Sequence, residues 1–211
     1  MNKGYLITFE GPEGSGKSTQ IELLRARLSA AGREVVLTRE PGGTPLAEEF
    51  RSILKHHTGP EELHPVTELL LFEAGRVQNV HCVIKPALAA GKVVLCDRFT
   101  DSTIAYQGYA RGLDIAGLRL LNSLALDGVK IDLTVLLDLP PEDGFARTSC
   151  RESTCRTFDR LESAGIDFHH AVRRGFLEQA AAEPERFRVF NAAQDRDDLA
   201  DAIYREVSRV V

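Results

Sequence analysis

One loop constrains the fold of this chain more than any other feature. An apolar run, Tyr5 to Phe9, is followed by Gly-Pro-Glu-Gly-Ser-Gly-Lys-Ser and then by a helical pattern. The loop matches G-x-x-x-x-G-K-[ST] in the order strand, turn and helix that makes the pattern credible as a phosphate-binding loop. Its glycines allow a tight bend that brings successive N–H groups toward one anion. The positive end of the following helix dipole points at the same place. We therefore predict nucleoside triphosphate binding by Gly11, Pro12, Glu13, Gly14, Ser15, Gly16, Lys17, Ser18 and Thr19.

Three side chains of this loop carry the chemistry. Lys17 is predicted to contact the terminal phosphates, and the Ser18 hydroxyl to ligate the Mg²⁺ that accompanies the triphosphate. Glu13 would repel an anion unless it has another duty. It either accepts a hydrogen bond from a substrate hydroxyl or a magnesium-bound water, or it points away into solvent.

Net charge and hydropathy exclude several classes of protein. The chain has 211 residues and a formal charge of −5, which argues against a general nucleic-acid binder or a binder of acidic membranes. No apolar run reaches membrane-spanning length, and the first strand begins too early to leave room for a signal peptide. We therefore expect a cytoplasmic protein.

The four cysteines, Cys82, Cys96, Cys150 and Cys155, lack the spacing of a disulfide framework or a zinc ribbon. We interpret them as free thiols in a reducing compartment. The alternative is a metal site formed by Cys150 and Cys155 with His169 and His170.

Short apolar runs alternate with helical patterns along the chain. The runs cover residues 5–9, 34–38, 92–97, 133–139 and 187–190. Five such alternations predict an α/β fold, a doubly wound five-stranded parallel sheet flanked by helices, in one domain over residues 1–211. A long helical pattern from Pro65 is expected to kink or end at Pro86. Ligands of such sheets bind at the carboxyl ends of the strands.

Asp97 closes the third run, so it is expected at that edge beside the glycine loop. There it can reach the magnesium shell directly or through water. The alternative is that Asp97 caps a helix.

The segment 147–162 contains Arg147, Arg151, Arg156 and Arg160 among small polar residues. Its few apolar positions predict a mobile lid that brings arginines over the phosphates and excludes water. The alternative is a solvated helix with surface arginines.

Several further motifs occur together over residues 5 to 205. They are Phe9-Glu10-Gly11, Arg39-Glu40-Pro41-Gly42-Gly43-Thr44, Leu70-Leu71-Phe72 with Arg76, Asp97-Arg98, Ala105-Tyr106-Gln107-Gly108 and Asp159-Arg160-Leu161-Glu162. With the glycine loop, they make the chain resemble the thymidylate kinase family, a branch of the nucleoside monophosphate kinases. The resemblance implies transfer of a phosphoryl group from magnesium ATP to dTMP. It also implies a homodimer that contacts its partner through the helices of residues 65–90.

The resemblance also implies roles for individual residues. Glu13 matches an acid that receives the 3′-hydroxyl of the deoxyribose, and Arg51 and Arg98 match arginines that hold the acceptor phosphate. Phe72 and Arg76 match the pair that contacts thymine. Polar positions near the base are matched by Ser102, Thr103 and Gln107.

Tyr106 matches a ring that crowds out a ribose 2′-hydroxyl, and Arg147 an arginine that lies against the adenine of ATP. The loop has no basic residue before Lys17, which indicates the style of the family that keeps its catalytic arginines on the lid. Catalysis is then assigned to Lys17, Arg98, Arg151 and Arg156, and metal binding to Ser18 and Asp97.

Two features depart from the family pattern. The lid is longer than expected, so either Arg151 or Arg156 could reach the transferred phosphoryl group. Glu73 and Gly75 stand where small neutral residues are more usual. The remaining alternatives are a kinase for another nucleotide or a nucleoside, a nucleotide-dependent switch, and a catalytically silent nucleotide-binding subunit.

Overall fold

A parallel five-stranded sheet forms the centre of the molecule. The structure is a computed structural model that describes residues 3–151 and 164–211, with residues 149–151 described by their backbone alone. The strands are β1 (Tyr5–Glu10), β2 (Val35–Arg39), β3 (Val93–Asp97), β4 (Leu133–Asp138) and β5 (Phe187–Asn191). Their order is β2-β3-β1-β4-β5, and every pair is parallel. The predicted sheet is confirmed, and each strand end lies within one residue of the prediction.

The alternation of side chains along β1 divides the core into two layers. Ile7 and Phe9 pack on one face with Leu24 and other residues of the first and last helices. Leu6 points to the opposite face and packs with Val80 and other residues from the middle of the chain. All three β1 side chains are fully buried. A strand with both faces covered reads as a continuous apolar run, which is how the sequence reveals it.

Helices of the described residues cover both faces of the sheet. They are α1 (Lys17–Ala30), α2 (Pro45–His56), α3 (Pro65–Asn79), α4 (Lys85–Ala89), α5 (Thr100–Thr103), α6 (Ile115–Leu126), α7 (Pro141–Arg151), α8 (Ile166–Ala182) and α9 (Arg196–Val207). Side-chain caps begin several of them. The Thr44 hydroxyl accepts a hydrogen bond from Ala47 N, and Asp114 accepts one from Gly117 N. Within these ranges no helix is long and apolar enough to cross a membrane.

The predicted interruption near Pro86 is a change of helix type. A π-helical turn, Val80–Ile84, follows α3 directly, and α4 then continues through Pro86 to Ala89. Proline has no backbone N–H to donate within a helix. The change to a π-helical turn beside Pro86 accommodates the missing hydrogen bond. A second π-helical turn, Ile104–Ala110, connects α5 to the approach of α6.

The predicted lid begins on a helix. Helix α7 runs through Arg151, so residues 147–151 have helical backbone. Residues 152–162, with Arg156 and Arg160, lie outside the described part of the chain. The mobile lid therefore stays a prediction.

An ion pair joins α5 to the turn before β5. Two guanidinium nitrogens of Arg186 donate to the two Asp101 oxygens at 2.7 and 2.9 Å. The Asp101 side chain is 5% exposed and that of Arg186 is 19% exposed. The Arg186 guanidinium also donates to Thr134, a residue near the start of β4. The pair thus links the site-bearing segment after β3 to the far edge of the sheet.

We expect Arg186→Met to lower the free energy of unfolding by about 3 kcal/mol, because it leaves the Asp101 carboxylate buried without its partner. Urea unfolding of the purified protein measures the change. Arg196→Met is the matched control, since it removes an exposed pair with Asp197 and should have no measurable effect. Equal midpoints for the two variants would contradict a stabilising role for the buried pair.

Candidate active site

A cavity of about 440 Å³ opens at the carboxyl ends of β1 and β3. It is bordered by the glycine loop, the loop after β2, α2, α3 and the segment after β3. The predicted residues on its wall are Glu13, Gly14, Gly16, Lys17, Ser18, Thr19, Arg51, Phe72, Arg76, Asp97, Arg98, Ser102, Thr103, Tyr106 and Gln107. The structure therefore gathers side chains from distant parts of the chain around one space.

The glycine loop wraps around its own lysine. Gly11, Gly14 and Gly16 have φ values of 140°, 74° and 87°, a region that favours glycine. Lys17 Nζ donates to the carbonyl oxygens of Gly11 and Pro12 at 3.1 and 3.0 Å. Burial, and then the nearby Arg98 guanidinium, lower the pKa of Lys17 to about 8.

Helix α7 lies directly against this loop. A Cβ atom on Gly14 would stand 2.4 Å from Gly144 O, and one on Gly144 would stand 2.4 Å from Glu13 O. Two glycines therefore permit the close approach of two backbones. The contact brings Thr148 of α7 to the cavity wall. Arg147, on the same helix, does not line the cavity and donates to Ala192 O at 2.9 Å, just after β5.

Asp97 lies where its position in the sequence predicts. Ser18 Oγ donates to Asp97 Oδ2 at 3.1 Å. The alternative role of Asp97 as a helix cap is wrong, because α5 begins at Thr100 with Phe99 at the capping position. Both residues line the cavity, and hydroxyl and carboxylate oxygens are suitable ligands for Mg²⁺.

The alternative metal site of Cys150, Cys155, His169 and His170 finds no support among the described residues. No group of three or more His, Cys, Asp or Glu side chains in that part of the chain could hold a metal. His169 packs edge-on against the Phe145 ring, and His170 pairs with Glu142. Cys155 lies outside the described residues, as does the side chain of Cys150. Cys82 and Cys96 are free thiols, as predicted.

A buried carboxylate to which the sequence reasoning assigned no role holds the segment after β3. Glu10 accepts hydrogen bonds from Phe99 N at 2.8 Å, from Ser102 N at 3.2 Å and from Ser102 Oγ at 2.6 Å. Burial, followed by the negative charge of Asp101, raises the pKa of Glu10 to about 8. An acid at the end of an otherwise apolar run was the available signal. Ser102, expected near the base, uses its hydroxyl for this contact.

Arg98 connects the glycine loop with the rest of the cavity. Its φ is 64°, an uncommon value for a residue with a side chain. The guanidinium donates to Gly11 O at 3.0 Å and to Glu13 Oε2 at 3.3 Å, and it lies 5.2 Å from the centre of the Tyr106 ring. The Glu13 side chain thus faces Arg98, and the interpretation that it points away into solvent is wrong.

Arg51 reaches the same cavity from α2. Its Nη1 donates to Pro41 O at 2.7 Å, in the loop that follows β2. Thr44 ends that loop and caps α2, so the cap and the arginine together fix the loop against the helix. Arg51 and Arg98 therefore face one space from different elements.

Arg76 is buried at 2% exposure and surrounded by acceptors. They are Glu40 Oε2 at 2.8 Å, Glu73 Oε1 at 2.6 Å, Asn122 Oδ1 at 2.6 Å and Phe99 O at 3.2 Å. Glu73, which departs from the family pattern, is thus a partner of the predicted base-contacting arginine. Burial raises the pKa of Glu40. At Gly75, the other departure, an added Cβ atom would have ordinary space, with Ala47 Cβ at 3.8 Å.

The remaining predicted residues divide into two groups. Thr103, Tyr106 and Gln107 are buried and line the cavity. The second group, Gly11, Pro12 and Ser15, does not line the cavity and supports the loop internally. Ser15 Oγ donates to Pro12 O at 2.9 Å. The side chains of Arg151 and Arg156 lie outside the described part of the chain.

A glycine loop at the start of α1, the strand order β2-β3-β1-β4-β5 and arginines facing the loop define a P-loop nucleotide-binding protein of the kinase type. Residues 9–203 match the family model described as Thymidylate kinase. The chain belongs to the thymidylate kinase family, and it is an enzyme of that family.

Individual relatives match over nearly their whole length. A thymidylate kinase of Pseudomonas fluorescens is 52% identical over 95% of this chain and 93% of the relative. One of Geotalea uraniireducens is 50% identical over 95% and 94%. The crystal structure of thymidylate kinase from Ehrlichia chaffeensis superposes with a TM-score of 0.74 at 37% identity, covering 99% of this chain and 98% of that one.

The lowered pKa of Lys17 predicts proton uptake when a nucleoside triphosphate binds. In the free protein Lys17 loses its proton above about pH 8, whereas a bound polyphosphate favours the charged form. Above pH 8 and below the ordinary lysine pKa, affinity for ATP should therefore fall, by up to about tenfold per pH unit. Calorimetry at pH 9 in buffers of different ionisation enthalpy should report uptake approaching one proton.

Lys17→Arg provides the control, because a guanidinium stays charged throughout this range and should take up no proton. The same titration at pH 7 should show no uptake by the unaltered protein. Identical heats in all buffers at pH 9 would show that Lys17 keeps its proton in the free loop.

Proposed function

We propose that this protein transfers the γ-phosphoryl group of ATP to dTMP, giving ADP and dTDP. One observation carries the proposal: two groups of cations, Lys17 in the glycine loop and Arg98 with Arg51, line a single cavity. Two anionic substrates can then meet in it. The printed name of the relatives, thymidylate kinase, supports dTMP as the acceptor.

Catalysis in this arrangement comes from position and charge. The reaction needs no covalent intermediate with the protein, because the acceptor phosphate attacks the γ-phosphorus in line. Lys17 leaves the Gly11 and Pro12 carbonyl oxygens for the phosphates, and Arg98 holds the acceptor phosphate beside the donor. Arg151 and Arg156 are proposed to add charge from the lid.

Ser18 and Asp97 would hold Mg²⁺. Their oxygens already lie 3.1 Å apart on the cavity wall, which fits a hard cation with oxygen ligands. When bound, the ion neutralises charge on the phosphate oxygens. The protein's contribution is to keep these two ligands together at the carboxyl edge of β3.

The opposite end of the cavity is proposed to receive the nucleoside. Phe72 offers a ring face to the base, and Arg76 offers a donor whose other N–H groups are already bound. Tyr106 is buried between Arg98 and the Phe176 ring, which makes it a rigid wall for the sugar. Glu13 is proposed to receive the 3′-hydroxyl, and Arg147 to lie against the adenine of ATP.

A cytoplasmic homodimer completes the proposal. Helix α3 exposes Leu70 and Val77, at 53% and 47%, and α6 exposes Leu120 and Leu124, at 72% and 74%. Helices α3 and α6 are neighbours, so these side chains support a shared apolar contact surface.

A coupled ADP-release assay with magnesium ATP tests the proposal against the rival acceptors dUMP, dCMP, UMP, AMP and thymidine. We expect dTMP to give the highest kcat/KM. Lys17→Met should lower kcat by at least about a thousandfold while leaving the melting temperature near that of the unaltered protein. A preference for thymidine over dTMP would show that Arg51 and Arg98 do not hold an acceptor phosphate. ATP binding without turnover of any acceptor would favour the silent subunit or the switch.

Single replacements of Arg151 and Arg156 by alanine identify the catalytic arginine of the lid. The one that reaches the transferred phosphoryl group should lose about a thousandfold or more in kcat, because it stabilises charge in the transition state. Arg174→Ala is the control: this exposed arginine on α8 should keep kcat within about twofold. Equal, mild losses at both lid positions would refute a catalytic role for either.

A further inference from the structure

Glu68 is a fully buried carboxylate on α3 to which the proposed mechanism gives no role. It accepts a hydrogen bond from Gln107 Nε2 at 2.8 Å and pairs with Arg111 Nη2 at 3.4 Å. Both Glu68 oxygens accept hydrogen bonds in these contacts, and the amide of Gln107 turns its NH₂ group toward Glu68.

The other end of this amide is presented to the cavity. Gln107 Oε1 accepts no hydrogen bond from the residues that the structure describes. Gln107 is 1% exposed and lines the cavity, so Oε1 is the end of the amide that is left for a ligand there. An amide can present either its donor or its acceptor end. Glu68 removes that freedom and makes Gln107 an acceptor.

Arg76, in contrast to Gln107, can act only as a donor. A guanidinium has five N–H groups and no acceptor. Four of them donate to Glu40, Glu73, Asn122 and Phe99. One N–H of Nη2 remains for the cavity that Arg76 lines. Arg76 and Gln107 thus add one donor and one acceptor to the cavity wall, and buried carboxylates hold both in place.

We propose that Glu68 is a positioning residue that sets base specificity by holding Gln107 as an acceptor beside the Arg76 donor. The proposal rests on the proposed function, because it takes the base of the acceptor nucleotide to lie between these residues. Thymine and uracil fit, since their N3–H donates and their O4 accepts. Cytosine has the reverse pattern, with an acceptor at N3 and an amino donor at N4. Cytosine would place its amino donor against the Arg76 donor and its N3 acceptor against the Gln107 acceptor.

Glu68→Gln tests this directly. A neutral amide at position 68 can donate as well as accept, so Gln107 is free to present either end to the base. We measure KM and kcat for dTMP, and the inhibition constant of dCMP as a competitor of dTMP. The ratio of the dCMP inhibition constant to the dTMP KM should fall at least about tenfold. A residue that only supports the fold would weaken both nucleotides alike and leave the ratio unchanged.

Two further variants keep the test decisive. Ile203→Ala removes a buried side chain of α9, an element that does not line the cavity, so it should lower the melting temperature and preserve the ratio. The double variant Glu68→Gln with Gln107→Glu exchanges the two groups at constant charge and volume. The introduced glutamine then donates to the introduced carboxylate, whose second oxygen faces the cavity as an acceptor. The double variant should regain discrimination against dCMP.

The outcomes separate this inference from the proposed function. An unchanged ratio in a folded Glu68→Gln variant overturns the role of Glu68 while the kinase reaction stands. If that variant does not fold, the double variant decides, and equal binding of dCMP and dTMP by it overturns the inference. Failure of the unaltered protein to phosphorylate dTMP would instead remove the proposed function.

Discussion

The contact between Glu10 and the turn after β3 is the constraint on which the site depends. The chain leaves β3 with Arg98 in a left-handed conformation, and Arg98 N donates to Phe9 O at 2.9 Å to hold the turn against β1. Glu10 then accepts the backbone N–H groups of Phe99 and Ser102. Burying a carboxylate is costly, and the raised pKa of Glu10 reflects that cost. Its hydrogen bonds offset the cost and place Asp97 and Arg98 at the cavity.

The same device recurs around the cavity. Arg76 is held by Glu40 and Glu73, and Gln107 by Glu68. In each case a buried carboxylate fixes a group that lines the cavity. Groups held this way need no reorganisation when substrate arrives, and in a site shielded from water their charges act more strongly.

Local patterns predicted the sheet and the loop because both depend on neighbouring residues. Apolar runs mark strands buried on two faces, and the glycine loop defines its own turn. Asp97 was placed correctly because the end of a parallel strand fixes its position. Glu40 and Glu68 were missed as partners because each is 36 or 39 residues from the side chain it holds. Glu10 lies 92 residues from Ser102. Such pairs depend on tertiary proximity, which periodicity does not encode.

Gly11 links Lys17 and Arg98 physically. Its carbonyl oxygen accepts hydrogen bonds from Lys17 Nζ at 3.1 Å and from Arg98 Nη1 at 3.0 Å. Two cations held at one oxygen repel each other, and Arg98 is accordingly one cause of the lowered pKa of Lys17. A polyphosphate that draws Lys17 to itself relieves this repulsion. The binding free energy of the anion therefore includes this relief as well as the anion's own contacts. Because Arg98 shares the oxygen, an anion in the glycine loop also changes the electrostatic environment of Arg98, the arginine proposed to hold the acceptor phosphate.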